Sequence, residues 1–266
     1  MSEYIFAVDS DGCAMDTMTY KHELFFGPLA AEKFEVKDRE TFQKNWEDIN
    51  LYTTTRGVNR FEGLVLGLQS VNYDGMNVDN LYRWVEETDS LSNDSLEAEI
   101  EKHNSEDLKL ALEWSIAVND NVAKAEGHDE PFEGALDGLA KMAELGTVYV
   151  VSSANREAVE DEWTRHGLMD HVDDLYCQDR GKKADVLAGF IADGTDPHHI
   201  IMVGDSPGDL EAAEKNGTWF FPIIVGNEKA SWEDFRENVA DKFVNGEFTQ
   251  EDHDQYVEKF WNNLKK

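Results

Sequence analysis

The sequence predicts an α/β protein: an open, doubly wound parallel sheet, interrupted after its first strand by an all-helical insertion. Three observations carry that prediction. Short, nearly continuous apolar runs occur at Tyr4–Val8, Val148–Val151 and Ile200–Val203, each rich in β-branched residues and each ending in small or acidic ones. Runs of this kind suit strands buried on both faces, as in a parallel sheet covered by helices. Helical patterns separate the later runs at the spacing of βαβ units. The long stretch from 16 to 130, by contrast, holds no convincing strand.

Taken in order, Tyr4–Val8 is the first strand. Within the insertion, apolar residues recur at helical spacing over Glu40–Ile49, Phe61–Gln69, Leu81–Glu87 and Leu108–Ala125. The breakers Gly57, Asp74-Gly75 and Gly127 fall between or after these patterns. Tyr82, Trp84 and Trp114 are expected in the insertion's own core, and the polar Thr88–Ser105 stretch reads as a loop or an exposed helix. The chain returns to the sheet near Pro131. From there helices at Glu133–Leu145, Arg156–His166, Lys183–Ala192 and Leu210–Asn216 alternate with the two later strong strands and with weaker ones at Asp174–Cys177 and Thr218–Ile224. In the tail, Tyr256, Phe260 and Trp261 lie at helical spacing and predict a helix packed on the body. Residues 1–15 and 131–266 thus form the α/β core, and 16–130 the helical insertion.

Composition narrows the function classes. With 24 Lys plus Arg against 56 Asp plus Glu, the 266-residue chain carries a formal net charge of −32. Its 41% apolar content is ample for a core and argues against intrinsic disorder. Such a field repels phosphate, so general binding to nucleic acid or to an anionic membrane is excluded. An anionic substrate would need a locally positive site, which makes nearby Arg and Lys informative. Two cysteines, Cys13 and Cys177, cannot build a disulfide framework or a zinc site unaided. The N-terminus lacks the pattern of a signal peptide, and no apolar run approaches membrane-helix length. The expectation is a soluble, cytoplasmic protein.

Chemistry-bearing residues gather at the strand ends. The first strand runs into Asp9-Ser10-Asp11-Gly12. Carboxylates two apart at this point project into the crevice where open α/β sheets bind ligands. Two anions so close repel, and a divalent cation such as Mg2+ resolves the repulsion. Asp-Gly pairs are also common in plain turns, so the other strand ends matter. The second run ends in Ser152-Ser153, hydroxyls suited to a phosphoryl oxygen. The last runs into Gly204-Asp205-Ser206-Pro207-Gly208-Asp209, and Gly181-Lys182-Lys183 opens a helical pattern with cations. Parallel strands bring these ends to one sheet edge. Phosphoryl transfer chiefly requires positioning and charge neutralisation, and this set offers both.

In this the chain resembles the haloacid dehalogenase-like (HAD) superfamily, mostly Mg2+-dependent phosphohydrolases with a Rossmann-like core. The family's four motifs occur in order as Asp9-Ser10-Asp11-Gly12, Ser152, Lys183 and Gly204–Asp209, and the insertion stands where its C1-type cap does. The resemblance implies Asp9 as nucleophile, forming an aspartyl-phosphate, and Asp11 as the acid that protonates the leaving oxygen and then activates water. It implies Mg2+ held by Asp9, Asp205 and the backbone carbonyl of Asp11, with Asp209 supporting the metal or orienting Lys183. Ser152 and Lys183 would hold the phosphoryl group, in preference to Ser153 and Lys182. Cys13 departs from the family's usual Thr or Val. An acid at Asp11 favours ester hydrolysis or mutase chemistry, since family members that cleave other bonds lack it. In the insertion Arg56 and Arg60 stand in a polar cluster; either or both are expected to reach the substrate's phosphate or a second anionic group, the alternative being pairing with carboxylates on the insertion's surface. The expected function is a Mg2+-dependent phosphatase of a small phosphorylated metabolite, such as a sugar phosphate. The alternatives are a phosphomutase using the same intermediate, or a non-catalytic phosphate-binding regulatory protein.

Overall fold

In a computed structural model that describes residues 3–125 and 127–265, the strand-forming runs assemble into one five-stranded parallel sheet. Its strands are β1 (Ile5–Val8), β4 (Thr147–Val151), β5 (Asp174–Tyr176), β6 (Ile200–Gly204) and β7 (Trp219–Pro222), while β2 (Met15–Asp16) and β3 (Glu130–Pro131) form a separate two-residue antiparallel ribbon. The sheet order β5-β4-β1-β6-β7 puts β1 at the centre, where the strand order reverses direction. That reversal is the crevice at which open α/β sheets hold ligands.

Alternation explains why the central runs are apolar throughout. Phe6 and Val8 of β1 join one core with Val148, Val150, Ile201 and Val203. Ile5 and Ala7 join a second core on the opposite face, with Ile200, Met202 and Phe220. Both faces are covered, so neither tolerates polar residues. Register then levels the strand ends: Val8 pairs with Val150 on one side and with Val203 on the other. Asp9, Ser152 and Asp205 therefore leave the sheet at the same edge.

The chain divides into two compact units, Met1–Met18 with Gly127–Leu264, and Thr19–Glu126 with Lys265–Lys266. The second unit is helical and has its own core, in which Trp46, Trp84 and Trp114 are buried with Phe42, Phe61 and Leu64. Tyr82 is only partly buried against it. Backbone closeness is built in, since a Cβ on Gly67 would stand 2.9 Å from the Trp46 ring. Helices beyond those expected occupy Gly27–Lys33 here, and Glu228–Asp234 and Ala240–Val244 in the first unit, while the polar Thr88–Ser105 stretch takes its helical alternative over Asn93–His103. The tail helix spans Gln250–Asn263. Phe260 is buried on it, but Trp261 remains 38% exposed, a correction to the expected packed stripe. Consecutive residues point about 100° apart on a helix, so Phe260 and Trp261 cannot share one face. Among the described residues no helix is long and apolar enough to cross a membrane.

Candidate active site

Residues at the ends of β1 and β6 and at the start of two helices converge. Asp9 follows β1, and its N–H donates to the Val203 carbonyl at 2.9 Å, continuing the sheet one residue beyond the strand. Asp205 follows β6. Asp209 stands in the first turn of the helix Pro207–Asn216, and Lys183 opens the helix Lys183–Ala192. Asp9, Asp205 and Asp209 are all buried and each offers a carboxylate oxygen within 4.8 Å of the others. Lys183 Nζ lies 2.8 Å from Asp9 and 2.5 Å from Asp209. One ammonium against three carboxylates leaves a net formal charge of −2 in a buried corner.

The acid–base balance reflects this crowding. Burial, with the Asp209 and Asp205 carboxylates adding to it, pushes Asp9 well above the usual carboxylate range, while Lys183 pulls the other way. Burial would lower the Lys183 ammonium, but Asp209 and Asp9 outweigh it and hold its pKa raised. The lysine stays charged. The donor set therefore suits a hard divalent cation: oxygen ligands only, clustered, and short of positive charge.

Asp209 is set by more than Lys183. Its Oδ2 accepts from the Asp205 N–H at 3.2 Å, the Ser206 N–H at 3.0 Å and the Ser206 hydroxyl at 2.7 Å. Gly204 makes room for it, because a Cβ there would stand 2.3 Å from the Asp209 carboxyl carbon. The turn after Asp9 is equally compact. The Ser10 carbonyl accepts from the Cys13, Ala14 and Met15 N–H groups, and Gly12 adopts a left-handed φ of 80°. Trp163 donates from its indole to Ser10 Oγ at 2.8 Å, and Trp232 to the Cys13 carbonyl at 3.0 Å.

The Asp11 carboxylate is not a member of the buried trio; it is half-exposed and accepts from the Thr17 hydroxyl. Thr17 escapes the sequence reading, although a hydroxyl residue soon after the acidic pair is a usable signal. Ser152 is buried, its N–H bonded to the Tyr176 carbonyl at 2.9 Å, whereas Ser153 is exposed. Lys182 is likewise exposed. Cys13 is fully buried, and burial followed by the nearby carboxylates of Asp205, Asp9 and Asp209 raises its thiol well above the ordinary value. It is a neutral packing group at neutral pH.

Arg56 and Arg60 belong to the helical unit. Arg56 is 3% exposed and donates to the Leu51 carbonyl at 2.7 Å. Arg60 lies over the Phe26 ring and bonds through Nη1 to the Ser115 carbonyl, the Ser115 hydroxyl and Asn119 Oδ1. Burial pulls its guanidinium down to about 10, and none of these partners carries a charge.

The model of the haloacid dehalogenase-like hydrolase family matches residues 68–223, which include Ser152, Lys183, Asp205 and Asp209 but not Asp9 or Asp11. A solved structure of a candidate phosphoglycolate phosphatase from Lactobacillus delbrueckii subsp. bulgaricus is similar over 93% of this chain and 99% of its own, at 15% identity and a TM-score of 0.53. A second candidate phosphoglycolate phosphatase, from Haemophilus somnus 129pt, matches over 84% of this chain and 86% of its own, at 15% identity and a TM-score of 0.50. At such identities the likeness speaks for the fold. No curated protein matches the sequence.

Proposed function

The chain belongs to the haloacid dehalogenase-like hydrolase family, and from that premise we propose that it is a Mg2+-dependent phosphatase acting on a small phosphorylated metabolite. The observation that carries this reading is the buried corner itself, in which three carboxylates cluster and two of them, Asp9 and Asp209, share one lysine at the edge where the strands end. Such a group has acids to hold a cation, a fixed ammonium for phosphate, and a carboxylate left to attack phosphorus.

Asp9 is the nucleophile. A carboxylate oxygen of Asp9 bonds to phosphorus while the ester P–O bond breaks, and the leaving oxygen takes the proton of the Asp11 carboxyl. Asp11, now a carboxylate, accepts a proton from the water that attacks the aspartyl-phosphate. Inorganic phosphate departs and Asp9 is restored. Thr17 fixes the Asp11 side chain between these tasks. Ser152 donates to a phosphoryl oxygen, and Lys183 faces the charge that spreads over the group in the transition state. Asp9, Asp205 and the Asp11 carbonyl would hold Mg2+, with Asp209 behind them. When bound, the ion supplies positive charge that the phosphoryl oxygens and the crowded carboxylates both require.

Within the helical unit, Arg60 is the cation proposed to take an anionic group. Among the described residues its cation is held by neutral oxygens and an aromatic face, so an incoming anion gains from it without breaking an ion pair. Arg56 braces the segment that presents it.

Hydrolysis of p-nitrophenyl phosphate by the purified chain tests the reading. Turnover is expected with Mg2+, lost on chelation, regained on re-addition, and abolished in Asp9→Asn, which nearly preserves volume. Activity indifferent to chelation, or surviving in Asp9→Asn, would refute it.

A further inference from the structure

Building on Asp9 as nucleophile, we propose that Trp163 is a positioning residue for the Asp9–Asp11 loop, acting through the hydrogen bond from its indole N–H to the Ser10 hydroxyl. Ser10 stands between the two carboxylates and is fully buried. Its N–H donates to Asp9 Oδ1 at 2.8 Å, and its carbonyl is the hub that gathers the N–H groups of Cys13, Ala14 and Met15. Whatever fixes Ser10 therefore fixes the carboxylate before it and the turn that carries the one after it. Its side chain, in turn, is held by Trp163 at 2.8 Å across 153 residues of sequence.

Trp163 is suited to the task. The indole offers a donor and no acceptor, so the direction of the bond is unambiguous. The ring is fully buried among core residues, so packing and not solvent sets where its N–H points. The helix that bears it, Arg156–Arg165, is itself anchored along its length. Asn155 caps its start by accepting from the Ala158 N–H, Arg156 donates to the Leu175 carbonyl at 2.5 Å and pairs with Asp179, and Arg165 pairs with Asp129. This same helix begins four residues after Ser152. It therefore links the strand end carrying the phosphate hydroxyl to the loop carrying the nucleophile, and sets the spacing between them. Displacing a nucleophile by about 1 Å can cost about 100-fold in rate. The loop keeps its main-chain bonds when the indole bond is lost, so a smaller cost is expected, about tenfold.

The test measures kcat, KM and the thermal midpoint on p-nitrophenyl phosphate with Mg2+. Trp163→Phe deletes the donor and keeps an aromatic ring; Ser10→Ala deletes the acceptor without touching that ring, and reads the same bond even if Trp163→Phe fails to fold. Each is expected to lower kcat about tenfold with KM within about twofold, and the double variant to fall no further than either single one, because both delete one interaction. Trp219→Phe is the control, since its indole bonds to the His198 carbonyl at the opposite edge of the sheet; it is expected to lose stability and keep kcat. A normal kcat in Trp163→Phe or Ser10→Ala, multiplied losses in the double variant, or an equal loss of kcat in Trp219→Phe would overturn the positioning role. Asp9→Asn, run alongside, separates the two failures: turnover surviving there removes the nucleophile and this proposal with it, whereas an inactive Asp9→Asn beside a normal Trp163→Phe removes the positioning role alone.

Discussion

Lys183 is where the charge balance of the Asp9 corner is decided. Its ammonium reaches Asp9 and Asp209 at once, and it stays charged because those two carboxylates outweigh the cost of burying it. Asp209 can face it only because Gly204 has no side chain. Gly204→Ala is therefore expected to push Asp209 aside, loosen Lys183, and lower kcat by about 100-fold or more, the scale of losing fixed electrostatic stabilisation. Steady-state kinetics with a circular-dichroism spectrum checks it, and a folded Gly204→Ala variant with full activity would contradict it. The residues of this corner are legible in the sequence because each closes an apolar run or opens a helical pattern. Thr17 leaves only its spacing of six residues from Asp11 as a signal. Trp163 leaves none, because its partner Ser10 is chosen by tertiary packing and an indole reaching across 153 residues leaves no periodic trace.

Strands and helices follow the same division. Every strand of the sheet is readable, the central ones because burial on both faces demands an unbroken apolar run and the edge strand Asp174–Tyr176 more weakly, and the ends of the runs move by only a residue or two. The ribbon of Met15–Asp16 with Glu130–Pro131 is too short to carry a pattern. The helix Asn93–His103 buries only Leu96, so nothing in its periodicity separates it from a polar loop. Residues 228–244 do carry a stripe, with Trp232, Phe235, Val239 and Phe243 buried, which a reading centred on strands and motifs passes over. The tail helix supplies a test at this scale. Its first turn is closed by Thr249 and Asp252, whose carboxylate accepts from the Thr249 N–H at 3.0 Å and the Thr249 hydroxyl at 2.9 Å. These bonds hold Asp252 below the usual carboxylate range. A depressed folded-state pKa adds stability above the unfolded value, and that contribution fades as the pH falls through the folded one. Asp252→Asn is accordingly expected to lower the urea midpoint at neutral pH, with the difference shrinking towards about pH 3. A gap that stays constant with pH would contradict the capping role.

At the scale of the molecule, a net charge of −32 and the proposed phosphorylated substrate pull against each other. The long-range field repels the ligand, so binding must come from cations fixed close to it. Lys183, buried against the carboxylates of Asp9 and Asp209 in the α/β unit, is placed as such a cation. The acidic excess itself has no counterpart in the fold that explains it. The arrangement of strand ends around β1 makes the chemistry possible, and its claim is specific: one side chain carries the phosphoryl group between substrate and water. The most direct measurement is to quench the enzyme with acid during turnover of p-nitrophenyl phosphate with Mg2+ and map its peptides by mass spectrometry. The account predicts a phosphoryl group on the peptide of Asp9, absent from Asp9→Asn; a phosphoryl group on any other residue would contradict it.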